Sequence, residues 1–346
     1  MKIPRHSLAC WAALAALSLG GCKKNATDST QTTPGEGKPR HIAFVTNGVA
    51  SFWNIAAAGA KAAGEELGVK TQTLMPSEGI SDQKRIVEDL LTRGVHGIAI
   101  SPMDSANQTE LLNTAARRTK LITHDSDAPD SDRLLYVGMD NYKAGRMCGE
   151  MIREALPNGG SVMLFVGRLE QENARLRRQG LIDVLLGRAE DRARFDPPSN
   201  VLEGNGYKIL GTLTDQFDRA QGKANVEDSL AKHPDLGCLV GLFAYNPPLI
   251  LEALEQAQKL GKIQVVAFDE DDATLDAVEK GTVHGTVVQN PYLYGYKSVE
   301  ILNALIDGKK APGADGQFVD VPARKIRKAD VAEFRADLKS KLQAVK

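Results

Sequence analysis

Short apolar runs alternate with longer segments of helical spacing from His41 to the end of the chain. His41-Ile42-Ala43-Phe44-Val45-Thr46 reads as a buried strand, and apolar residues at Phe52, Ile55, Ala56, Ala63 and Leu67 then share one helical face, closed by Gly68. The same alternation gives a strand over residues 69–75, a helix capped by Ser81 and ended by Gly94, and a strand over 96–100. A helix capped by Ser105 then runs through Ala116, before a strand over 121–124. After Tyr136-Val137-Gly138-Met139-Asp140-Asn141 the pattern starts again. Helices are predicted over 142–155, 174–186, 219–231, 249–260 and 273–279, with strands over 161–166, 207–213, 238–243, 263–268 and 283–288. A helix over 292–306 and an extended run over 317–321 come late enough to return to the first half. Residues 188–206, charged and containing Pro197-Pro198, read as an inserted loop. Strand followed by helix, repeated in two series, predicts an α/β fold of two lobes, each a parallel sheet covered on both faces.

Polar residues follow several apolar runs at the same place: Asn47, Asp125, Asn246, Asp269 and Gln289. Ligands of α/β proteins bind outside the carboxyl ends of parallel strands, so these positions outline one site assembled from distant segments.

The 43 basic and 44 acidic side chains leave a net charge of −1, which creates no field of one sign to attract nucleic acid. No Gly-x-Ser-x-Gly elbow, metal-helix histidine pair or Gly-rich phosphate loop is present, and no Cys/His cluster has zinc spacing. The chain reads as a binding protein without cofactor or metal, not an enzyme. Lys2, Arg5 and His6 precede an apolar stretch over residues 8–19 that is too short to span a bilayer. It ends in Leu19-Gly20-Gly21-Cys22, which resembles the lipobox of bacterial lipoproteins. That resemblance implies cleavage before Cys22 and lipidation of the cysteine, so residues 1–22 are a lipoprotein signal. Residues 23–39 are polar and lack apolar periodicity, as expected of a flexible tether. Cys148 and Cys238 lie among apolar neighbours and are expected to be separate buried thiols.

In order and spacing, Phe52-Trp53, Ser101-Pro102-Met103-Asp104-Ser105, Asp125, Gly138 to Asn141, Ala174-Arg175, Phe217-Asp218-Arg219, Asn246, Phe268-Asp269 and Gln289 resemble the ribose- and galactose-binding family of periplasmic solute-binding proteins. The resemblance spans residues 40–328 and implies the type I fold, two doubly wound lobes joined by a three-crossover hinge. One lobe comprises residues 40–141 plus 290–320, the other 142–289 plus 321–346. It also implies that a sugar or polyol held in the cleft is delivered to the permease of an ABC importer by a monomer anchored outside the cytoplasmic membrane, periplasmic or at the cell surface. A sensory binding protein presenting its ligand to a membrane receptor or kinase has the same features.

Position by position, Phe52 and Trp53 resemble an aromatic wall, and Asp125 and Asp269 carboxylates that accept from adjacent sugar hydroxyls. Arg175 resembles their cationic partner, with Arg177 and Arg178 expected on a solvated face and Arg168 and Glu172 at the rim. Phe217 either stacks on the ligand or packs in the core, Asn246 either binds it or caps a helix, and Gln289 either binds it or ties the hinge. Ribose-type proteins carry arginine after the first aspartate. Here Ser126 takes that place among the ligand contacts, which removes five donors and weakens the match to ribose itself while leaving the ligand class intact.

Overall fold

The protein is described by a computed structural model over residues 40–343; Cys22 and the rest of the signal and tether lie outside the described residues. In chain order the first series is β1 (His41–Val45), α1 (Ser51–Leu67), β2 (Lys70–Leu74), α2 (Ile80–Thr92), β3 (Gly97–Ile100), α3 (Thr109–Ala116), β4 (Lys120–His124) and β5 (Tyr136–Gly138). The second is α4 (Asn141–Ala155), β6 (Gly160–Val166), α5 (Glu172–Leu185), β7 (Leu202–Gly204), β8 (Tyr207–Thr214), α6 (Arg219–Lys232) and β9 (Cys238–Gly241). It continues through α7 (Asn246–Gln256), β10 (Gln264–Phe268), α8 (Asp272–Lys280) and β11 (Gly285–Val288). α9 (Pro291–Ile306), β12 (Phe318–Asp320), β13 (Arg324–Ile326) and α10 (Val331–Gln343) follow.

The strands form two sheets, ordered β12-β5-β4-β3-β1-β2 and β13-β11-β10-β9-β6-β8-β7. The first is parallel throughout. The second is parallel except at its edges, where β7 and β13 pair antiparallel with β8 and β11. Side chains of the inner strands alternate between two cores, as a sheet covered on both faces requires. From β1, Ile42 and Phe44 pack with α1 and α9, whereas Ala43 and Val45 pack with α2 and α3. From β10, Val266 and Phe268 enter the core under α4 and α5, and Val265 and Ala267 the core on the opposite face. Cys148 and Cys238 are buried free thiols in the first of these.

The chain passes between the sheets three times, giving the type I periplasmic binding protein architecture. It leaves β5 for α4, whose amino end Asp140 caps by accepting from the Lys143 N–H, and leaves β11 for α9, capped by Asn290. The third passage runs from β12 to β13. Each crossing helix is seated by glycine. A Cβ on Gly59 of α1 would sit 1.9 Å from the Tyr292 carbonyl oxygen of α9, and one on Gly145 of α4 would sit 2.0 Å from that of Arg177 in α5.

Several local expectations needed correction. Ser81 lies inside α2, which begins at Ile80 after Gly79, and α3 begins at Thr109 instead of after Ser105. β7 forms within the stretch expected as loop, and β5, read only as a crossover, is a strand.

Candidate functional site

A cavity of about 710 Å³ lies where the carboxyl ends of the two sets of strands face each other. Its wall contains Asn47 from the end of β1, Met103 after β3, Asp125 after β4, Arg168 after β6 and Phe217 after β8. Phe243 after β9, Asp269 after β10 and Gln289 after β11 complete the ring of strand ends. Phe52 and Trp53, in the first turn of α1, are part of the same wall.

Asp125 is held from both sides. Ser101 Oγ donates to its Oδ2 at 3.0 Å and Asn47 Nδ2 at 3.4 Å, while Asn173 Nδ2, at the start of α5 in the other lobe, donates to the same oxygen at 3.1 Å. Asp269 accepts from Gln289 Nε2 at 2.6 Å, and the Gln289 carbonyl oxygen accepts from the Tyr294 hydroxyl at 3.0 Å. Between the carboxylates stands Arg177, 1 % exposed, 3.7 Å from Asp125 and 4.0 Å from Asp269. Its Nε donates to Asn141 Oδ1 at 2.9 Å, its Nη1 to the Leu242 carbonyl, and its plane lies 4.4 Å from the Phe268 ring. Nη2 has no hydrogen-bond partner within the protein.

Burial pushes the Asp125 carboxyl up to about 6, opposed by Arg177 and reinforced by Asp269. Asp269 is raised for the same first reason, again opposed by Arg177. Behind them the buried Glu270 is raised well above the usual range by burial and by Asp269. One buried guanidinium thus shares two carboxylates, and its free Nη2 and their remaining lone pairs can engage a ligand.

The backbone is also unusual here. Asp125, Gln216, Phe217 and Asp269 all have positive φ, at 57°, 55°, 66° and 70°. Left-handed backbone in non-glycine residues carries strain that surrounding structure must hold, and such positions gather at ligand clamps.

Phe52 and Trp53 meet edge to face at 4.7 Å, and Trp53 also abuts His124. His124 is lowered to about 3 by burial and lies flat on Phe44 at 4.0 Å, a neutral ring backing the aromatic wall. In the other lobe Phe217, 38 % exposed, stacks on Phe243 at 5.8 Å and carries the Arg168 guanidinium over its face at 5.4 Å.

Of the residues read from sequence, Asn47, Phe52, Trp53, Asp125, Phe217, Asp269 and Gln289 share this cavity. Arg175 does not: it is half-buried on another face of α5 and donates to the Arg192 carbonyl. Arg177 occupies the place proposed for it, and neither Arg177 nor Arg178 is solvated. Ser126 is fully buried outside the cavity wall, its N–H bonded to the His124 carbonyl at 2.6 Å. Asn246 is spent on structure, accepting from the Phe243 N–H at 3.0 Å and donating to Asp215 at 3.1 Å. Glu172 is outside the wall, whereas Arg168 is part of it. The sequence reading missed Gln171, Asn173, Arg177 and Tyr245; two are polar residues entering a helix, a signal shared with ordinary capping positions.

The family model described as periplasmic binding protein domain matches residues 42–310. The D-ribose/D-allose-binding protein of Pseudomonas aeruginosa is 27 % identical over 330 residues, 90 % of this chain and 96 % of that one. The ribose import binding protein of Salmonella typhimurium is 26 % identical over 257 residues, 73 % of this chain and 79 % of that one. A solved ABC transporter solute binding protein from Burkholderia graminis, in complex with D-arabinose, superimposes with a TM-score of 0.75 at 30 % identity, covering 84 % of this chain and 96 % of that one.

Proposed function

The chain belongs to the periplasmic binding protein family, in its sugar-binding branch, and from that premise we propose that it captures a sugar or polyol between its lobes and delivers it to the permease of an ABC importer. The observation that carries the reading is the buried Asp125–Arg177–Asp269 array beside Phe52 and Trp53. Carboxylates accept from neighbouring hydroxyls, the guanidinium donates to ring or hydroxyl oxygens, and an aromatic face packs on the C–H face of a sugar ring. Relatives named for ribose and allose, and a homologous structure holding D-arabinose, support an aldose as the ligand.

Residues 40–141 with 290–320, and 142–289 with 321–346, move as two bodies about the three crossings, so that a permease distinguishes loaded from empty protein by shape. Arg177 between the carboxylates favours their ionised forms, which suits binding better than the acid and base of glycoside hydrolysis. The protein acts as a monomer, outside the cytoplasm, tied to its membrane through lipidated Cys22. Calorimetry with small-angle scattering on residues 23–346, across D-ribose, D-allose, D-arabinose, D-galactose, D-glucose, xylitol and myo-inositol, tests the reading. Micromolar or tighter binding with compaction is expected, and a panel giving neither heat nor compaction refutes it.

A further inference from the structure

Gln171 stands just before α5, at the helix's N-cap position, without making a capping bond. It is fully buried, it is part of the cavity wall, and neither its Nε2 nor its Oε1 has a hydrogen-bond partner within the protein. Buried polar groups are almost always paired, because an unpaired one gives up its bonds to water and gains none in return. An amide with both ends unpaired is therefore costly unless something in the cavity completes it. The neighbouring polar groups do not: Asn173 is committed to Asp125, and Arg177 to Asn141 and the Leu242 carbonyl. Two more unpaired donors, Arg168 Nε and Arg177 Nη2, come from the same stretch of chain.

We infer that Gln171 is a specificity-determining ligand contact, holding one hydroxyl-bearing edge of the sugar by donating through Nε2 and accepting through Oε1. This inference rests on the saccharide reading of the cleft. The chemistry differs from that of the two carboxylates. Asp125 and Asp269 only accept, so they take hydroxyls in their donor role, whereas an amide reads a vicinal pair of hydroxyls with one donating and the other accepting. A site built to hydrogen-bond a hydroxyl rejects an analogue lacking it far more strongly than an apolar pocket rejects one extra group. The selectivity forfeited by Ser126, where ribose-type proteins carry arginine, is thereby supplied from the opposite lobe.

The test uses Gln171→Met, which keeps length and volume, and Gln171→Glu, which keeps the acceptor and removes the donor. Both are titrated calorimetrically against the same panel of sugars and polyols, and then against monodeoxy forms of whichever sugar the parent protein binds best. The expected result is a tenfold or greater loss of affinity in both variants for the parent sugar. Two monodeoxy sugars, each lacking one hydroxyl of the pair read by the amide, should lose clearly less affinity on Gln171→Met than the parent sugar does. Thermal unfolding of unliganded Gln171→Met is expected to match or exceed that of the parent, as an unpaired amide has been replaced by an apolar chain. Unchanged affinity and ranking across the panel, or a lowered midpoint with unchanged ranking, would assign Gln171 to a structural water and overturn the inference alone. If the parent protein binds nothing in the panel, the saccharide reading itself fails and this inference with it.

Discussion

Replacing Arg177 with methionine removes the cation shared by two buried carboxylates and leaves the stem's packing against Phe268 largely in place. At separations of 3.7 and 4.0 Å, and with an effective dielectric constant of about 20, each attraction is about 4 kcal/mol. The protein does not lose the sum, because a buried carboxyl deprived of its counter-ion takes up a proton. Asp125 already sits at about 6 with Arg177 beside it, so without Arg177 its carboxyl is neutral at pH 7, and Asp269, raised by the same burial, is pushed further the same way. The remaining loss, from the stranded Asn141 acceptor and the desolvated carboxyls, is expected at about 3–5 kcal/mol, the usual cost of breaking a buried pair from one side. Sugar affinity falls at least a hundredfold, since the donor and the ionised acceptors go together. Trp53 is the one tryptophan after residue 22 and lies in the wall, so its emission reports both urea unfolding and titration with ligand. Arg175→Met serves as the control and is expected to change neither. A wild-type urea midpoint and wild-type affinity in Arg177→Met would refute the shared-cation account.

The Asp125 pKa has a definite sign in stability. Folded at about 6 against an ordinary value of 3.8, the group favours folding most below about pH 4 and loses that contribution as pH rises through 6, about 3 kcal/mol in all. Asp125→Asn should therefore gain stability relative to the parent between pH 4.5 and 7, as read by urea titration at each pH; a constant difference would contradict the burial argument. Ligand affinity should move oppositely, falling up to about tenfold per pH unit below 6 because the bound carboxylate must be ionised. Gly145→Ala drives a methyl into the Arg177 carbonyl and should cost about 1–3 kcal/mol while weakening binding through displacement of α5, measured by unfolding and calorimetry on the same sample. Arg133→Met strands Asp127, whose carboxylate it holds with two bonds of 2.5 and 2.6 Å, and should destabilise by about 3–5 kcal/mol. Sugar ranking should survive that change, because neither residue is part of the cavity wall.

The two-series fold was legible because the long buried strands are apolar runs bounded by turn residues, and helices such as α1 show a clean apolar stripe. Three-residue strands such as β5, β7 and β13 offer too few positions for any period to register. In the site, residues one step beyond a strand were readable from that position alone. The choice of Arg175 over Arg177 failed for a different reason. Two residues along a helix is a turn of roughly 200°, so the choice needs the helix's absolute phase. α5 is buried on nearly every face from Asn173 to Leu185, and without an amphipathic stripe no phase could be read. Asn246 misled because a strand-end amide serves a cap as well as a ligand, and here Asp215 and the Phe243 N–H claim it.

The left-handed backbone at Asp125 and Asp269 also bears on how such a receptor can change over evolutionary time. With φ at 57° and 70°, asparagine and glycine are the replacements the main chain accepts most readily. Asparagine is one base change from aspartate and turns half of an acceptor into a donor, so a new hydroxyl pattern is reachable in one step without disturbing the scaffold. Glutamate, chemically nearer to aspartate, is less at ease on this backbone and carries its carboxylate one methylene further into the cleft. The ligand spectrum of descendants is therefore channelled: small polar exchanges at these two clamps, with broader drift left to wall residues on ordinary backbone.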